Sequence, residues 1–184
     1  MKRVVDVLLS TVALVLLSPV LVAAGLAIAL DSGWPVLFKQ VRVGRSDREF
    51  GMYKFRSMVQ NAAAIGPYHT IDDDPRITRV GRFIRRTSID ELPQLINVLN
   101  GDMSLVGPRP DVPAQRVLYS PGDWNVRCSV RPGITGRAQA LLRSGGAPEE
   151  RLALDLRYAR EHSAWMDLKI MWWTLARLSG EGSN

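Results

Sequence analysis

Two adjacent carboxylates, Asp90 and Glu91, open a short apolar stretch within residues 87–110 (TSIDELPQLINVLNGDMSLVGPRP). That stretch ends in Gly107-Pro108-Arg109-Pro110, a rigid turn that holds up one arginine. Upstream come Arg76, Arg79, Arg82, Arg85 and Arg86. Two acids beside several fixed cations suit metal-assisted chemistry on a phosphate, because carboxylate oxygens hold a hard cation and guanidinium forks match phosphate oxygens. The arginines recur about every third residue, close to one face of a helix. Such a face is either a solvated basic surface or a seat for phosphates and lipid headgroups, and the spacing leaves both open.

The elements that must position the acids come next. Ser88-Ile89-Asp90-Glu91 matches a capping box before an apolar run, so the carboxylates could simply complement a helix dipole. Pro93 argues against the simplest version. With Ser88 as cap it would fall in the second turn and leave the Ile89 carbonyl without its helical donor. The helix is therefore expected to start near Asp90, or to be distorted there.

Segments 35–43 (PVLFKQVRV) and 49–57 (EFGMYKFRS) are rich in β-branched and aromatic residues, and the turn residues between them predict a β-hairpin. Residues 60–74 read as a short helix and then a loop closing on Asp72-Asp73-Asp74-Pro75. The three aspartates invite a metal reading, but a solvated loop with Asp74 near a helix start is the expectation. In 130–139 (VRPGITGRAQ), Gly133 and Gly136 allow close backbone approach to a ligand, and Arg131 and Arg137 supply charge. An ordinary surface turn would look the same. Residues 143–148 form a flexible connection. A helix is predicted over 149–161 and another over 165–178, where Trp165, Leu168, Trp172 and Leu175 share a face and Lys169 and Arg177 lie elsewhere. A core helix could share that pattern; the tryptophans favour one lying in a lipid interface.

The chain has 184 residues and a net charge of +6. Lys2, Arg3 and Asp6 give residues 1–30 a charge of +1, so +5 resides in the remainder, which is long enough for a real core. A basic domain suggests a polyanionic partner: nucleic acid, anionic lipid or a phosphorylated substrate. The single cysteine, Cys128, excludes an intramolecular disulfide framework and fits a reducing compartment. Only two histidines exist, His69 and His162, which argues against a histidine-rich zinc site.

Residues 4–30 are almost wholly apolar, interrupted by Asp6, Ser10, Thr11, Ser18 and Pro19. One straight helix of this length would reach roughly 40 Å, more than the ~30 Å hydrocarbon core of a bilayer. Proline removes a donor and clashes with the preceding turn, so a bend is expected at Ser18-Pro19. A cleaved signal peptide, a kinked spanning helix and a re-entrant hairpin all compete. The apolar run exceeds that of a signal peptide. Lys2 and Arg3 precede the segment, and Lys39, Arg42, Arg45, Arg48, Lys54 and Arg56 follow it. Positive residues mark the cytoplasmic side, so two positive flanks are awkward for a span and natural for a hairpin. The residues alone leave span and hairpin level.

Taken together these segments resemble the bacterial sugar transferases, the monotopic polyprenyl-phosphate phosphoglycosyl transferases. The matches run in order: Lys2-Arg3 with Asp6, Leu17-Ser18-Pro19, Phe38-Lys39-Gln40, Tyr53-Lys54-Phe55-Arg56, Asp74-Pro75-Arg76 and residues 85–94 (RRTSIDELPQ). Gly101-Asp102-Met103-Ser104, Val106 to Pro110, Arg131 to Gly136 and Asp167-Leu168-Lys169 complete the set. The length looks like the family's minimal catalytic form. The resemblance implies a membrane helix hinged at Ser18 and Pro19 that re-enters the same leaflet. It implies transfer of a sugar phosphate from a UDP-sugar to polyprenyl (undecaprenyl) phosphate, with UMP as the other product. It would make Asp90 the nucleophile of a ping-pong mechanism and Glu91 a catalytic ligand of Mg²⁺. Arg85 and Arg109 match positions near the phosphates, with Lys54, Arg56, Arg131 and Gln139 as further substrate-binding candidates. Arg137, residues 140–143 (ALLR) and the Gly/Ala run before Pro148 depart from the family pattern, in the region associated with nucleotide and sugar recognition. The resemblance therefore carries the reaction and not the sugar.

The expected fold is α+β and helix-rich. A re-entrant membrane hairpin (1–31) precedes a compact catalytic domain (32–184) with a small β-hairpin and amphipathic interfacial helices. The implied setting is the bacterial inner membrane, monotopic, with the catalytic domain on the cytoplasmic face. Anionic membrane lipid is an expected partner, nucleic acid is not, and a homodimer is left open. The rival readings are a membrane-tethered DNA- or lipid-binding module without catalysis. Residues 81–101 could pass for helix-turn-helix, but Asp90 and Glu91 at the start of its second helix would repel a nucleic-acid backbone.

Overall fold

The computed structural model describes residues 1–66, 71, 74–142 and 145–178, with the side chains of Ala63, Arg177 and Leu178 excepted. His69, Asp72, Asp73 and Arg143 lie outside the described residues.

The apolar N-terminal segment forms two helices, α1 (Lys2–Leu16) and α2 (Ser18–Ser32), bent by 61° at Leu17. The break falls where the sequence demands it. Pro19 enters at the start of α2, where a missing N–H costs least, and the Ser18 hydroxyl donates back to the Val15 carbonyl at 2.8 Å. No single helix among the described residues is long and apolar enough to cross a membrane; the bent pair together is, as a broken span or a re-entrant loop. Helix α1 is polar inward and apolar outward. Asp6 and Ser10 are buried against the body, while Val4, Leu8, Val12 and Val15 are exposed. That inversion fits a helix whose outer neighbour is lipid.

A β-hairpin follows, β1 (Leu37–Val43) antiparallel to β2 (Glu49–Phe55), in register from Leu37↔Phe55 to Val43↔Glu49. Its connection contains a short 3₁₀ turn, Arg45–Asp47, with Ser46 and Asp47 in the left-handed region. Then come α3 (Ala62–Ile65), α4 (Arg79–Arg86), α5 (Gln94–Asn100) and β3 (Ser104–Val106). After α6 (Pro121–Arg127), strand β4 (Gly133–Thr135) pairs parallel with β3. Helices α7 (Arg137–Leu142), α8 (Pro148–Glu161) and α9 (Ala164–Leu178) complete the described fold. It is helix-rich α+β with two small sheets.

Several small apolar clusters take the place of one large core. Ala24 and Ile28 of α2 pack on Phe55 of β2 and Ile84 of α4. Met52 of β2 meets Val98 and Met103. Val106, Ala140, Tyr158 and Ile170 join β3, α7, α8 and α9. Helix α2 therefore packs directly on the strand and helix that flank the carboxylate pair. On α9, Trp165, Leu168, Trp172 and Leu175 are all exposed, an unpaired apolar face of the kind expected at a lipid interface.

Two expectations need correction. Asp74 does not lie in a solvated loop. It is 1% exposed and receives Arg76 Nε at 2.8 Å and Nη2 at 2.6 Å. Arg76 accordingly leaves the basic face: it is buried in front of α4, whose N-cap is Thr78, accepting from the Gly81 N–H. The capping box at Ser88 is not formed, and the helix start is distorted, as Pro93 predicts. Ser88 takes a left-handed conformation with φ +57, residues Ile89–Glu91 make a 3₁₀ turn, and the α-helix begins only after Pro93. The cause is the proline sterics already visible in the sequence.

Candidate active site

The 3₁₀ turn after α4 sets Asp90 and Glu91 between the hairpin and the Gly107–Pro110 loop. Lys54 lies on β2 two residues after the buried Met52, so it shares that strand's inward face. Its Nζ donates to Glu91 Oε1 at 3.0 Å. From the opposite side Arg109 Nη2 donates to the same oxygen at 2.6 Å, and Nη1 reaches Oε2 at 3.5 Å. Arg85 follows on the last turn of α4, where its Nε donates to Ser57 Oγ at 2.9 Å.

The two acids are electrostatically unequal. Burial pushes the Asp90 carboxyl up, and the neighbouring Glu91 charge adds to this; Lys54, Arg85 and Arg109 oppose it without cancelling it. Burial acts in the same direction on Glu91, but the Arg109 and Lys54 charges and their hydrogen bonds outweigh it and bring Glu91 down to about 2. Burial also lowers Lys54, against the pull of Glu91. Glu91 is thus fixed as an anion by direct partners, while Asp90 sits beside it, poorly solvated and feeling the cations only at a distance.

The Arg109 loop is held from beneath. Arg127 Nη2 donates to the Arg109 carbonyl at 2.7 Å and to Asp155 at 2.9 Å, and its Nη1 pairs with Asp111. Arg42 Nη1 donates to the Pro110 carbonyl at 2.8 Å, and the Val43 N–H to the Asp111 carbonyl at 2.9 Å. Burial raises Asp111 and Asp155 while Arg127 opposes the rise. Asn97, fully buried, braces β2 from the other side: its amide donates to the Gly51 carbonyl at 2.8 Å and accepts from the Tyr53 N–H at 2.9 Å.

Gly133, one of the glycines of 130–139, makes its close backbone approach within the protein. A Cβ on Gly133 would stand 2.1 Å from the Gly107 nitrogen, and one on Gly107 would stand 2.3 Å from the Arg131 carbonyl oxygen. Backbone packs on backbone here, so the two glycines let the Arg109 loop lie flat on the β3–β4 pair.

Of the residues singled out by sequence, Asp90, Glu91, Lys54, Arg85 and Arg109 converge. Gln139 lines an apolar cavity of about 430 Å³ that opens beside Glu91 and Ser88. Arg56 is elsewhere: its Nη2 donates to the carbonyls of Ser32 and Gly33, tying down the end of α2. Arg131 donates to the Gly101 carbonyl at 2.8 Å and lines a separate polar cleft with Arg45 and Arg48. Ser18 and Pro19 are at the bend. Sequence reasoning missed Asn97, Arg127, Asp111 and Asp155, all of which act through partners distant in the chain; burial of polar residues has no local signature.

Mg²⁺ can be tested against the donor set. Asp90 and Glu91 offer hard oxygens, and among the described residues no group of three His, Cys, Asp or Glu comes together. Such a pair suits a cation that keeps waters and takes further ligands from substrate phosphates, as Mg²⁺ does, and not a closed zinc site. Glu91 Oε2, the less engaged oxygen, is the one best placed to serve.

Residues 1–180 match the family described as bacterial sugar transferase. The chain is 44% identical over 184 residues to the UDP-glucose:undecaprenyl-phosphate glucose-1-phosphate transferase of Escherichia coli (strain K12), covering 95% of this chain and 39% of that protein. It is 42% identical to the UDP-N-acetylgalactosamine-undecaprenyl-phosphate N-acetylgalactosaminephosphotransferase of Aeromonas hydrophila, covering 100% of this chain and 45% of the relative. The exopolysaccharide production protein PSS of Rhizobium leguminosarum bv. phaseoli is also 42% identical, with 95% of this chain and 93% of the relative covered. The chain thus spans about two fifths of the first two relatives and nearly all of the third. A match over almost its entire length makes this chain a member of the bacterial sugar transferase family.

Proposed function

We propose that this protein transfers a sugar 1-phosphate from a UDP-sugar to a polyprenyl phosphate, releasing UMP, as a membrane step of glycoconjugate assembly. The observation that carries this reading is the unequal carboxylate pair. Glu91 is held ionised by Lys54 and Arg109, and Asp90 is buried with its basicity raised. A carboxylate that is poorly solvated and kept apart from direct ion pairs is a competent nucleophile.

In this mechanism an Asp90 oxygen attacks the phosphorus that bears the sugar. The bond from that phosphorus to the UMP oxygen breaks, and UMP leaves with the electron pair. An oxygen of the polyprenyl phosphate then attacks the same phosphorus, and the Asp90 carboxylate departs. Arg109, Arg85 and Lys54 surround the carboxylates as fixed cations, ready to offset charge that develops on the transferring phosphoryl group. Glu91 would hold Mg²⁺, which supplies further neutralisation of the donor's diphosphate. A two-step exchange also spares the enzyme from holding a soluble donor and a lipid acceptor at once.

The bent α1–α2 pair with cationic flanks on both sides supports a re-entrant, monotopic attachment, with the catalytic body on the cytoplasmic face of the inner membrane. The DNA-binding rival finds little support: α5 would be its second helix, and Gln94, Leu95, Asn97 and Val98 bury it in the fold.

The test is UMP release from a panel of UDP-sugars with Mg²⁺ and undecaprenyl phosphate, beside Asp90→Ala. Release that requires both Mg²⁺ and Asp90 is expected. Equal release from Asp90→Ala would overturn the assignment of the nucleophile, and no release with any donor would overturn the activity.

A further inference from the structure

The cavity beside Glu91 has the wrong chemistry for a sugar or a nucleotide. Its volume, about 430 Å³, lies within the roughly 300–1,000 Å³ of small-ligand pockets. Its walls are Leu95 of α5, Ile134 of β4, Ala140 of α7 and Met171 and Leu175 of α9. The two threonines in the wall do not change this. Thr135 and Thr174 hydroxyls bond each other at 2.7 Å, and Thr174 also donates to the Ile170 carbonyl, so their polarity is spent inside the protein. A hexose or a uridine ring placed there would lose its hydrogen bonds to water and find few replacements.

Two of its lining residues differ from the rest. Glu91 is paired with Lys54 and Arg109. Leu175 is 63% exposed and belongs to the outward apolar face of α9 with Trp165, Leu168 and Trp172. The lining therefore includes both an outward-facing residue of α9 and the carboxylate that Lys54 and Arg109 hold. A molecule that matches both has an anionic head and a long hydrocarbon tail.

We propose that this cavity seats the first isoprenoid units of the lipid acceptor, with its phosphate at the Lys54–Arg109 end and its chain leaving across Leu175 toward the membrane. This assignment rests on the transferase reading above. It also separates the substrates: the hydrophilic donor approaches the carboxylates from outside the cavity, and the acceptor enters along α9.

Two variants test it. Ala140→Phe fills the cavity, and Leu175→Glu places an anion on its exposed rim without touching the core. With a UDP-sugar and no acceptor, Leu175→Glu should release UMP in a single-turnover burst like that of wild type. With undecaprenyl phosphate, each should show a KM for the acceptor raised about ten-fold or more, because a carboxylate or a bulky ring now stands in the apolar lining. A raised KM for the donor with an unchanged acceptor KM would overturn the proposal and assign the cavity to the nucleotide-sugar. If wild type gives no UMP burst with any donor, the transferase reading fails, and the cavity is judged by farnesyl phosphate binding to nanodisc-embedded protein. Binding at least about ten-fold weaker to Leu175→Glu than to wild type supports an isoprenoid phosphate seat; equal binding overturns it.

Discussion

Lys2, at the head of helix α1, lies 2.6 Å from Asp167 in α9, 165 residues away. The Tyr158 hydroxyl lies 2.7 Å from the other Asp167 oxygen and 2.9 Å from the Val106 carbonyl, with one proton to give between them. Arg3 donates to the carbonyls of Val98 and Leu99, and Asp6 accepts from Ser104 Oγ at 2.9 Å and the Leu105 N–H at 3.1 Å. The polar residues of an otherwise apolar helix thus fasten it to the strand and helices behind the active site.

This fastening predicts a measurable coupling. Asp167→Ala strips the buried Tyr158 hydroxyl of an acceptor and should cost about 1–3 kcal/mol, read as a lower Tm in detergent. Lys2→Met alone should cost less, because Lys2 is partly exposed and its charge is screened. The double variant should fall short of the sum of the two losses. Strict additivity would show that the contact does not couple α1 to α9.

The acids should trade stability for activity in opposite senses. The folded state raises Asp90, so it favours the protonated form. Above that raised pKa the ionised carboxylate costs stability, and the cost disappears as pH falls through it. Asp90→Asn should therefore raise Tm at pH 7.5, with the gain shrinking on acidification, while turnover falls by about 10⁴-fold or more. Glu91 is depressed to about 2, so its contribution is present above the ordinary carboxylate pKa and is lost as pH falls toward 2. Glu91→Gln should lower Tm at pH 7.5. A Tm for Asp90→Asn below wild type at that pH would contradict the electrostatic picture.

The pH profile follows from the same pair. The nucleophile must be ionised, so the rate should rise with pH through a limb set above the ordinary aspartate range. Glu91→Gln removes a negative neighbour and releases Lys54 and Arg109 to act on Asp90. Its residual activity should show that limb displaced to lower pH. An unshifted limb would indicate that Asp90 is not the group being titrated.

Arg127 should matter to catalysis without touching substrate. It holds the Arg109 carbonyl, Asp111 and Asp155 together. Arg127→Met leaves two buried carboxylates without their shared cation, a change worth about 3–5 kcal/mol in comparable buried pairs. Asp155→Asn is gentler, and it should leave the fold intact while reducing kcat more than it raises the donor KM, since Arg109 would be less firmly placed. Thermal scans and steady-state kinetics on both variants check this.

Membrane attachment can be probed by labelling. In a Cys128→Ser background, Trp34→Cys should react with an impermeant maleimide from the same side of the membrane as an N-terminal tag. Labelling from opposite sides would establish a span.

Much of the scaffold was legible in the sequence, for local reasons. The hairpin follows from β-branched alternation around a turn, the bend from Ser18-Pro19, and α8 and α9 from helical periodicity. Pro93 warned that the capping box at Ser88 would fail, and it does. The carboxylate pair and Arg109 were visible as residue types in a short segment. The rest depends on long-range pairing. Asn97 bracing β2, Arg127 beneath Arg109 and Lys2 on Asp167 are polar side chains whose partners no periodicity reveals. Asp74 misled because a buried aspartate paired to Arg76 and a solvated one look alike in a run of three.

The central claim is that Asp90 carries the phosphosugar. The direct measurement is the intact mass of the protein after incubation with a UDP-sugar and Mg²⁺ in the absence of acceptor, followed by peptide mapping. The account predicts a gain equal to one sugar phosphate on the peptide containing Asp90, removed on adding polyprenyl phosphate and absent from Asp90→Asn. UMP release that occurs only when both substrates are present, with no adduct on any peptide, would contradict it.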